Sequence, residues 1–423
     1  MVQSILKRSQ LVNNADPPRL YVHSLESARL GDGLGDGLGA SVLRSLSKRA
    51  VLLSRSGDTV IVDSMPDAAW LEFLGSIGID HGEIHVAVGT GETLIDRMLS
   101  DETLISDIES RFDVLEPYMG GDQVQQLAQA IHAQANVPDT PLLNRLNLKS
   151  NLCPILGHAG LPTIPTTIAS RTDALSTAKH MFHEYGSVMV RSDLSIGGLG
   201  VWAITSDADL DALSDGIAQA RSSRLFVLQP LLDVTGSPNA QYEIRRDAPR
   251  FLGISSQTMT QSFAFGGNDY PSPQPDDRIR TQADTIAHWL HNAGYRGMVG
   301  IDFIISPNQG VFIVEINPRV NTSTFPLLLK DRLGASAFRL ITGISTPGID
   351  GHAGIMDLIG EDRLYHPSRG AGVVPLMIPS VDRAVLDVMI FGSQLEQVAE
   401  LSDDLLIQFD GIGSEAQAAG GQS

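Results

Sequence analysis

The sequence contains one cysteine, Cys153, and a large deficit of basic residues. A single cysteine excludes an internal disulfide and any zinc site built from four cysteines, and it favours a small buried residue at that position. With 30 Lys and Arg against 49 Asp and Glu, the formal net charge is −19, which argues against nucleic acid or an anionic membrane as a partner. A nucleotide site would therefore be a local basic region in an acidic protein.

Long apolar runs and the common phosphate-binding loop are also missing. No segment approaches the roughly 18 consecutive apolar residues of a membrane-spanning helix, and residues 1–10 lack the apolar core of a signal peptide. These features predict a cytoplasmic protein with no membrane partner. No GxxxxGK[ST] sequence occurs in the chain, which excludes ordinary P-loop chemistry.

Length and pattern predict several α/β units. A chain of 423 residues is too long for one ordinary hydrophobic core. Alternating strand and helix patterns predict an N-terminal α/β domain, followed by a small and then a larger subdomain. The composition of the last residues, rich in Gly, Ala, Gln and Ser, predicts disorder. The predicted boundaries are 1–141, 142–228, 229–364, a C-terminal α/β extension at 365–410 and the tail at 411–423.

Three local patterns within these units give specific expectations. The apolar residues 50–53 and 405–408 predict strands, and residues 335–342 predict a helix. A tandem Gly-Asp-Gly-Leu repeat at 31–39 partly matches a dinucleotide-binding loop, although residues 26–30 separate it from the preceding strand. Three interpretations of this repeat are possible. In descending order of preference, they are a loop without a specific function, a substrate-contacting loop and a nucleotide site.

The most informative segment is a predicted β-hairpin whose turn residues 307–310 separate two apolar runs. A symmetric four-residue loop would place Asp302 opposite Glu315. The period of two then puts Asn317 and Arg319 on the same face as Glu315. Asp and Glu are poor strand formers that here interrupt apolar runs, which favours a functional face over a merely solvated one.

Two opposed carboxylates on a sheet repel each other, and a bound divalent cation would remove that repulsion. Carboxylate and amide oxygens are hard ligands that suit Mg²⁺ or Mn²⁺ sharing a site with phosphates. Arg319 adds a planar fork that matches a phosphate or carboxylate. The hairpin therefore predicts a metal and phosphate site, with a solvated polar face as the alternative.

The order Asp302, Glu315, Asn317 and Arg319 resembles the metal-binding signature of the ATP-grasp superfamily, whose enzymes activate a carboxylate with ATP and join it to an amine. The resemblance covers roughly residues 142–329. It implies that the two carboxylates and Asn317 hold Mg²⁺ on the triphosphate and that Arg319 faces the transferred phosphate. It also implies an ATP-grasp architecture: an N-terminal α/β domain, a small lid subdomain and a larger antiparallel-sheet subdomain.

The same resemblance implies ATP contacts earlier in the chain. Lys149 matches a lysine that contacts the phosphates, with an exposed helix lysine as the alternative. Arg191 stands where the family usually has Lys, so the charge is kept but becomes a planar fork. The loop Gly197-Gly198-Leu199-Gly200 can fold over a triphosphate without obstruction by Cβ atoms, and a plain hairpin turn is its alternative.

Residues 224–233 resemble the strand and hinge that hold adenine in the family. Gln229 would contact adenine, Leu231 would supply hinge backbone and Asp233 would contact the ribose hydroxyls. Glu243 would face the phosphates or a lysine, with a solvated strand face as an equal alternative.

The resemblance implies an ATP-dependent carboxylate–amine ligase. The substrate carboxylate would attack the γ-phosphate, and an amine would then attack the acyl phosphate. Arg319, Lys149 and Arg191 would stabilise the developing charge, and Asn321 would orient the substrate. A nucleotide-binding regulator with a decayed site and a phosphotransferase are the rival hypotheses.

A finer likeness involves the Gln-Pro hinge, the strand at 253–257, the loop at 266–271 and the unit at 371–408. These features are most similar to the ATP-grasp peptide ligases of pheganomycin biosynthesis, an antibiotic pathway. The likeness implies an amino-acid-like carboxylate and a peptide or amino-acid amine as small-molecule substrates. The family also suggests a homodimer.

Overall fold

The computed structural model describes residues 17–24, 46–194, 200–220, 223–259, 263, 265–273, 277–346, 351–377 and 385–420. The glycine repeat at 31–39 lies outside the described residues, as do Gly197, Gly198 and Leu199. The described part of the chain forms three sheets with their helices. Within it, no helix is both long enough and apolar enough to cross a bilayer.

The N-terminal domain is a parallel five-stranded sheet in the order β3-β2-β1-β4-β5. Its inner strands are short apolar runs buried between helices, as expected for a parallel sheet covered on both faces. The elements in chain order are β1 (Arg19–Val22), a 3₁₀ helix (Leu46–Leu52), β2 (Thr59–Val62), α1 (Ala68–Ser76), β3 (Glu83–Val86), α2 (Leu94–Ser100), α3 (Glu102–Ile108), β4 (Val114–Pro117), α4 (Asp122–Ala130) and β5 (Gln134–Ala135).

The small subdomain is an antiparallel four-stranded sheet in the order β6-β9-β7-β8, with α7 and α8 packed on one face. Cys153 is half-buried here, and its thiol donates to Thr166 Oγ1. The elements are α5 (Thr140–Asn147), a 3₁₀ helix (Lys149–Asn151), α6 (Leu152–His158), β6 (Thr167–Ser170), α7 (Ala174–Tyr185), β7 (Val188–Ser192), β8 (Val201–Ile204), α8 (Asp207–Gln219) and β9 (Leu225–Pro230).

The large subdomain is an antiparallel eight-stranded sheet in the order β14-β13-β10-β11-β12-β15-β17-β16. The buried face of α9 packs against β10 and β13 in one apolar cluster. The elements are β10 (Pro238–Ile244), β11 (Pro249–Met259), β12 (Phe265–Tyr270), α9 (Asp277–Asn292), β13 (Gly297–Ser306), β14 (Gly310–Asn317), α10 (Thr324–Leu333), β15 (Ala337–Ser345), α11 (Gly351–Ile359), β16 (Gly372–Met377), β17 (Val385–Gly392) and α12 (Leu395–Gly420).

Several local expectations differ from the structure. Residues 50–53 lie mostly in a 3₁₀ helix, 335–342 enter strand β15, and 405–408 lie inside α12. In α12, Val398, Leu405 and Phe409 recur at helical spacing and are buried together. A short apolar run has no period of its own to distinguish strand from helix, so tertiary packing decided each case.

The C-terminal unit also differs from the prediction. Strands β16 and β17 do not form a separate sheet, because β17 pairs with β15 and extends the large sheet. The tail from 411, predicted to be disordered, continues α12 as far as Gly420. Residues after 364 therefore complete the large subdomain.

The turn of the hairpin is one residue shorter than a symmetric four-residue loop. That loop would place Ser306 opposite Val311, but Ser306 pairs with Gly310 instead, so the turn residues are 307–309. A one-residue change in register moves every later side chain of one strand to the other face. The shorter turn alone would therefore separate the two carboxylates.

A β-bulge restores the predicted pairing. Phe303 pairs with Ile313, and the next rung joins Asp302 to Glu315, so Val314 is an extra residue without a partner in the ladder. A bulge of this kind shifts the register by one residue. The opposition of the two carboxylates, predicted from a symmetric loop, is thus confirmed for a different structural reason.

The N-terminal sheet meets the large sheet near the end of β14. Met119 forms an isolated β-bridge with Arg319, and the Val320 N–H donates to Tyr118 O at 2.9 Å. A buried ion pair between Arg49 and Asp387, at 2.8 Å, adds a second connection. The carboxyl end of β4 is therefore held beside Arg319.

Candidate active site

Asp302 and Glu315 face each other at the edge of the large sheet, where both are half-buried. Asp302 accepts hydrogen bonds from three side-chain amides, those of Asn239, Gln257 at 2.9 Å and Asn317 at 2.8 Å. Burial and the nearby Glu315 nevertheless raise the pKa of Asp302 to about 6. The charged form is therefore destabilised at Asp302 rather than at Glu315.

Glu315 is stabilised by cations instead. Lys149 Nζ lies 3.4 Å from its carboxylate, and the Lys149 side chain is buried. Burial alone would raise the pKa of Glu315, but Lys149, Arg319 and Arg191 hold it below its usual value. The predicted repulsion is thus already reduced by the protein, with amides around one carboxylate and cations around the other.

The position of Lys149 depends on the end of β7. The Lys149 N–H donates to Asp193 O at 3.1 Å, and the Ser150 N–H donates to Asp193 Oδ1 at 2.7 Å. These bonds satisfy amides at the start of the 3₁₀ helix, where no intrahelical acceptor exists. This 3₁₀ helix lies between α5 and α6, and the Lys149 side chain at its start reaches Glu315.

Arg191 connects the two antiparallel sheets. Its guanidinium donates to Val314 O at 3.0 Å and to Gln229 Oε1 at 2.8 Å. Val314 is the bulge residue, so its carbonyl is not used by a cross-strand partner in the register. The Gln229 amide also donates to Thr166 at 2.7 Å. In this structure Gln229 therefore holds Arg191, and its contact with adenine stays a prediction.

A second amide cluster lies where Gln241 of β10 pairs with Gly300, two residues before Asp302 on β13. Gln241 Nε2 donates to Asn321 Oδ1 at 2.9 Å, and Thr324 Oγ1 donates to Gln241 Oε1 at 3.0 Å. A Cβ atom at Gly300 would lie 2.1 Å from Asn321 Nδ2. Glycine at 300 is thus required for the amides to approach the strand. Asn321 is held in this cluster by its hydrogen bond with Gln241.

Leu231 and Asp233 lie just beyond β9, and their contacts with adenine and ribose stay predictions. The Leu231 N–H donates to Ser187 O at 3.2 Å, and Asp233 is exposed. Gly200, at φ +67, accepts a hydrogen bond from Ser192 N and closes the β7–β8 hairpin.

Glu243 differs from both of its predicted partners. It lies on β10 four residues after Asn239 and forms ion pairs with Arg245 at 2.6 Å and Arg19 at 3.5 Å. Arg19 belongs to the N-terminal domain. Glu243 therefore contributes to the contact between the domains.

Sequence reasoning missed four polar residues that position the site, namely Asn239, Gln241, Gln257 and Asp193. Asn239 and Gln241 alternate on the buried strand β10, which was a usable signal, since polar side chains on a buried strand need partners. Gln257 and Asp193 follow no such pattern. Their roles depend on strand pairing and on the end of β7.

The donor set fits a divalent cation only if other ligands join it. Among the described residues, no three His, Cys, Asp or Glu side chains group as a metal site. Two carboxylates would therefore be supplemented by the Asn317 amide oxygen and by phosphate oxygens, as hard cations accept. The Asn317 amide nitrogen points at Asp302 here, so ligation by its oxygen would need a half turn of the amide.

The raised pKa of Asp302 predicts pH-dependent metal binding. Above about pH 7 the carboxylate is ionised, whereas below about 6 a proton competes with the metal. We expect the affinity for Mn²⁺, measured by electron paramagnetic resonance with ADP present, to fall by up to about tenfold per pH unit below 6. The Asp302→Asn variant is the control, because it reports the titration of the nucleotide without that of Asp302. Equal affinity from pH 5 to 8 in the unmodified protein would contradict the assignment of Asp302 as a metal ligand.

Two family models match the chain in separate regions. Residues 47–133 match the pre-ATP-grasp domain, and residues 224–323 match the ATP-grasp domain. Both matched regions are therefore domains found in ATP-grasp proteins. The ATP-grasp match includes Gln229, Asp302, Glu315, Asn317 and Arg319. Lys149 and Arg191 lie outside both matches, so their place beside Glu315 comes from the structure.

The curated relatives of this chain are distant. It is 24% identical over 294 residues to the arginine-specific large chain of carbamoyl phosphate synthase from Geobacillus stearothermophilus. It is 20% identical over 294 residues to the [butirosin acyl-carrier protein]–L-glutamate ligase from Niallia circulans. These alignments cover 64% and 67% of this chain. The chain spans 26% of the synthase and 67% of the ligase.

The fold extends beyond the sequence matches. N5-carboxyaminoimidazole synthetase from Staphylococcus aureus, in complex with ADP, superposes with a TM-score of 0.58 at 14% identity. The alignment covers 94% of this chain and 98% of that chain. The predicted ATP-grasp fold, with its parallel N-terminal sheet and two antiparallel sheets, is thereby confirmed.

Proposed function

We propose that this protein is an ATP-dependent ligase that joins a carboxylate to an amine through an acyl phosphate. The observation that carries the proposal is the opposed pair Asp302 and Glu315, surrounded by Lys149, Arg191 and Arg319. Cations and carboxylates lie together at this edge. The cations suit a triphosphate, and the carboxylates suit the metal ion bound to it. The two family matches and the ADP-bound structural neighbour support the proposal.

The first step is phosphoryl transfer. An oxygen of the substrate carboxylate attacks the γ-phosphorus of ATP, the bond to the β-phosphate oxygen breaks, and ADP leaves with both electrons. Lys149, Arg191 and Arg319 stabilise the negative charge on the phosphates, because fixed cations need no reorganisation during the reaction. Asp302, Glu315 and Asn317 would hold Mg²⁺ or Mn²⁺, which supplies further charge neutralisation when bound.

The second step forms the amide. The neutral amine nitrogen attacks the acyl carbon, the bond from that carbon to the phosphate oxygen breaks with both electrons going to oxygen, and the leaving phosphate takes up the proton that the amine loses. Arg319 lies at the end of β14 beside the N-terminal domain. This contact supports a role for Arg319 at both the phosphate and a substrate held by that domain.

For the substrates we propose an amino-acid-like carboxylate and a peptide or amino-acid amine. The Niallia relative, named as a ligase of L-glutamate, supports an amino-acid substrate. The finer likeness to the peptide ligases of pheganomycin biosynthesis rests on the sequence features alone. A homodimer stays a prediction.

Trapping of the acyl phosphate tests the proposal. The protein is mixed with Mg²⁺-ATP, a pool of amino acids and small peptides, and hydroxylamine, and hydroxamate, ADP and AMP are measured. We expect hydroxamate together with ADP, and division of the pool then identifies the acid. Hydroxamate with AMP would indicate an adenylate and contradict the proposal. ATP binding without turnover would favour the regulator, and ADP with a stable phosphorylated product would favour the phosphotransferase.

A further inference from the structure

The N-terminal sheet has a topological switch point between β1 and β4. The chain moves outward from β1 to β2 and β3, then returns to the other side of β1 to form β4. In parallel sheets, ligands bind beyond the carboxyl ends of the strands at such a point, because the two connections diverge there. His23 and Ser24 follow β1 at this position, and Tyr118 and Met119 follow β4.

His23 is an unusual residue for this position. It is only 2% exposed, and neither ring nitrogen has a hydrogen-bond partner among the described residues. The ring packs edge-on against Tyr118 and Phe325, with centroid distances of 5.6 and 6.2 Å. Ser24 is 4% exposed, and its Oγ also has no partner within the part of the chain that the structure describes.

Buried polar atoms of this kind need a partner. A buried donor or acceptor without a hydrogen bond costs about 1–3 kcal/mol, and nearly all such atoms in native proteins are satisfied. His23 and Ser24 are adjacent and present three such atoms together. The aromatic rings around His23 cannot satisfy its nitrogens, so the pair is suited to a polar ligand.

The pair lies close to the proposed reaction centre. Tyr118, which contacts the His23 ring, accepts the hydrogen bond from Val320 N, and Met119 bridges to Arg319. Phe325, another aromatic neighbour, follows Thr324 of the amide cluster. These contacts connect the pair to Arg319 through the carboxyl end of β4. An amine held at this edge of the N-terminal sheet would therefore lie beside Arg319.

We propose that His23, with Ser24 beside it, hydrogen-bonds the amine substrate at the carboxyl edge of β1. This rests on the proposed ligase function. The imidazole nitrogen accepts an N–H of an amino-acid or peptide amine, and the Ser24 hydroxyl binds a second polar atom of the same molecule. His23 is thus a specificity residue for the second substrate.

The electrostatic environment supports this role. Burial and the nearby Arg49 lower the pKa of His23 to about 3, so the imidazole is neutral at physiological pH. A neutral imidazole has one donor and one acceptor nitrogen. With so low a pKa it cannot take the proton of an ammonium group, so it orients the amine rather than acting as a base.

Comparison of two nucleophiles tests the proposal. Hydroxylamine at saturating concentration reports formation of the acyl phosphate without need of an amine pocket. Amide formation is measured in parallel with the twenty L-amino acids and a set of dipeptides supplied one by one. The variants are His23→Leu, which removes both nitrogens, and His23→Asn, which keeps a donor and an acceptor. His288→Leu is the same substitution at an exposed histidine of α9.

We expect His23→Leu to lower kcat/KM for the amine at least tenfold while hydroxamate formation and KM for ATP change less than twofold. His23→Asn should recover part of the loss, and His288→Leu should match the unmodified protein. Equal losses in the two assays would show a structural role and overturn the proposal, as would unchanged amide formation. If the unmodified protein forms neither product, the ligase function fails, and this proposal fails with it.

Discussion

Replacement of Glu315 by alanine should abolish most turnover while the protein stays folded. The carboxylate faces Asp302 across the hairpin and lies 3.4 Å from Lys149, so its removal deletes a metal ligand and leaves a buried lysine without this partner. We expect the rate of ADP formation to fall by about 10²–10³, the range seen when one electrostatic contact to a transition state is lost. Coupled-enzyme detection of ADP measures the effect.

The stability of this variant should change little, because two effects oppose each other. Loss of Glu315 leaves Lys149 less well compensated, but it also removes the repulsion that raises the pKa of Asp302. Circular dichroism and the melting temperature check that folding is retained. Glu72→Ala, at an exposed position of α1, is the matched control. A near-normal rate in Glu315→Ala would refute the metal assignment.

Replacement of Gly297 by alanine should produce a large loss of stability. Gly297 opens β13 with φ at +102, and a Cβ there would lie 2.0 Å from the backbone oxygen of Asn136. Asn136 follows β5 and donates through its side chain to Glu116, so the clash would push the N-terminal sheet from the large sheet. We expect a loss of about 3–5 kcal/mol, from backbone strain plus overpacking.

Gly294→Ala separates the two contributions. Gly294 has a comparable φ of +84, but nothing lies within 4 Å of its Cβ position. This control should lose only the strain, about 1–3 kcal/mol. Calorimetric melting temperatures and the rate of limited proteolysis between the domains measure both variants. Equal losses in the two variants would show that the clash with Asn136 adds nothing to the backbone strain.

The hairpin shows how far a local pattern can predict a site. Two apolar runs and a polar turn are sufficient to predict the strands and the opposition of Asp302 to Glu315. The exact turn was not predictable, since a three-residue loop with a bulge at Val314 and a symmetric four-residue loop give the same pairing at Asp302. The bulge matters for the site, because the Val314 carbonyl receives Arg191.

Residues far apart in sequence were predicted less well. Asn239 and Gln257 come 63 and 45 positions before Asp302 and reach it because β10 pairs with β13 and β11 lies next to β10. The contact of Gln229 with Arg191 was also not predicted. No periodicity within one segment reveals such partners, since they depend on which strands become neighbours.

The acidic character of the chain and the absence of a P-loop are direct properties of the amino-acid sequence. The strands of the hairpin and the opposed carboxylates were predictable from it. These properties depend on residue type and on spacings of a few positions, which the backbone period converts directly into faces. The tertiary structure decided how the charges are balanced, which amides surround Asp302, and that β16 and β17 extend the large sheet. The physical reason is that strand order and burial are set by the packing of the whole core, to which distant segments contribute together.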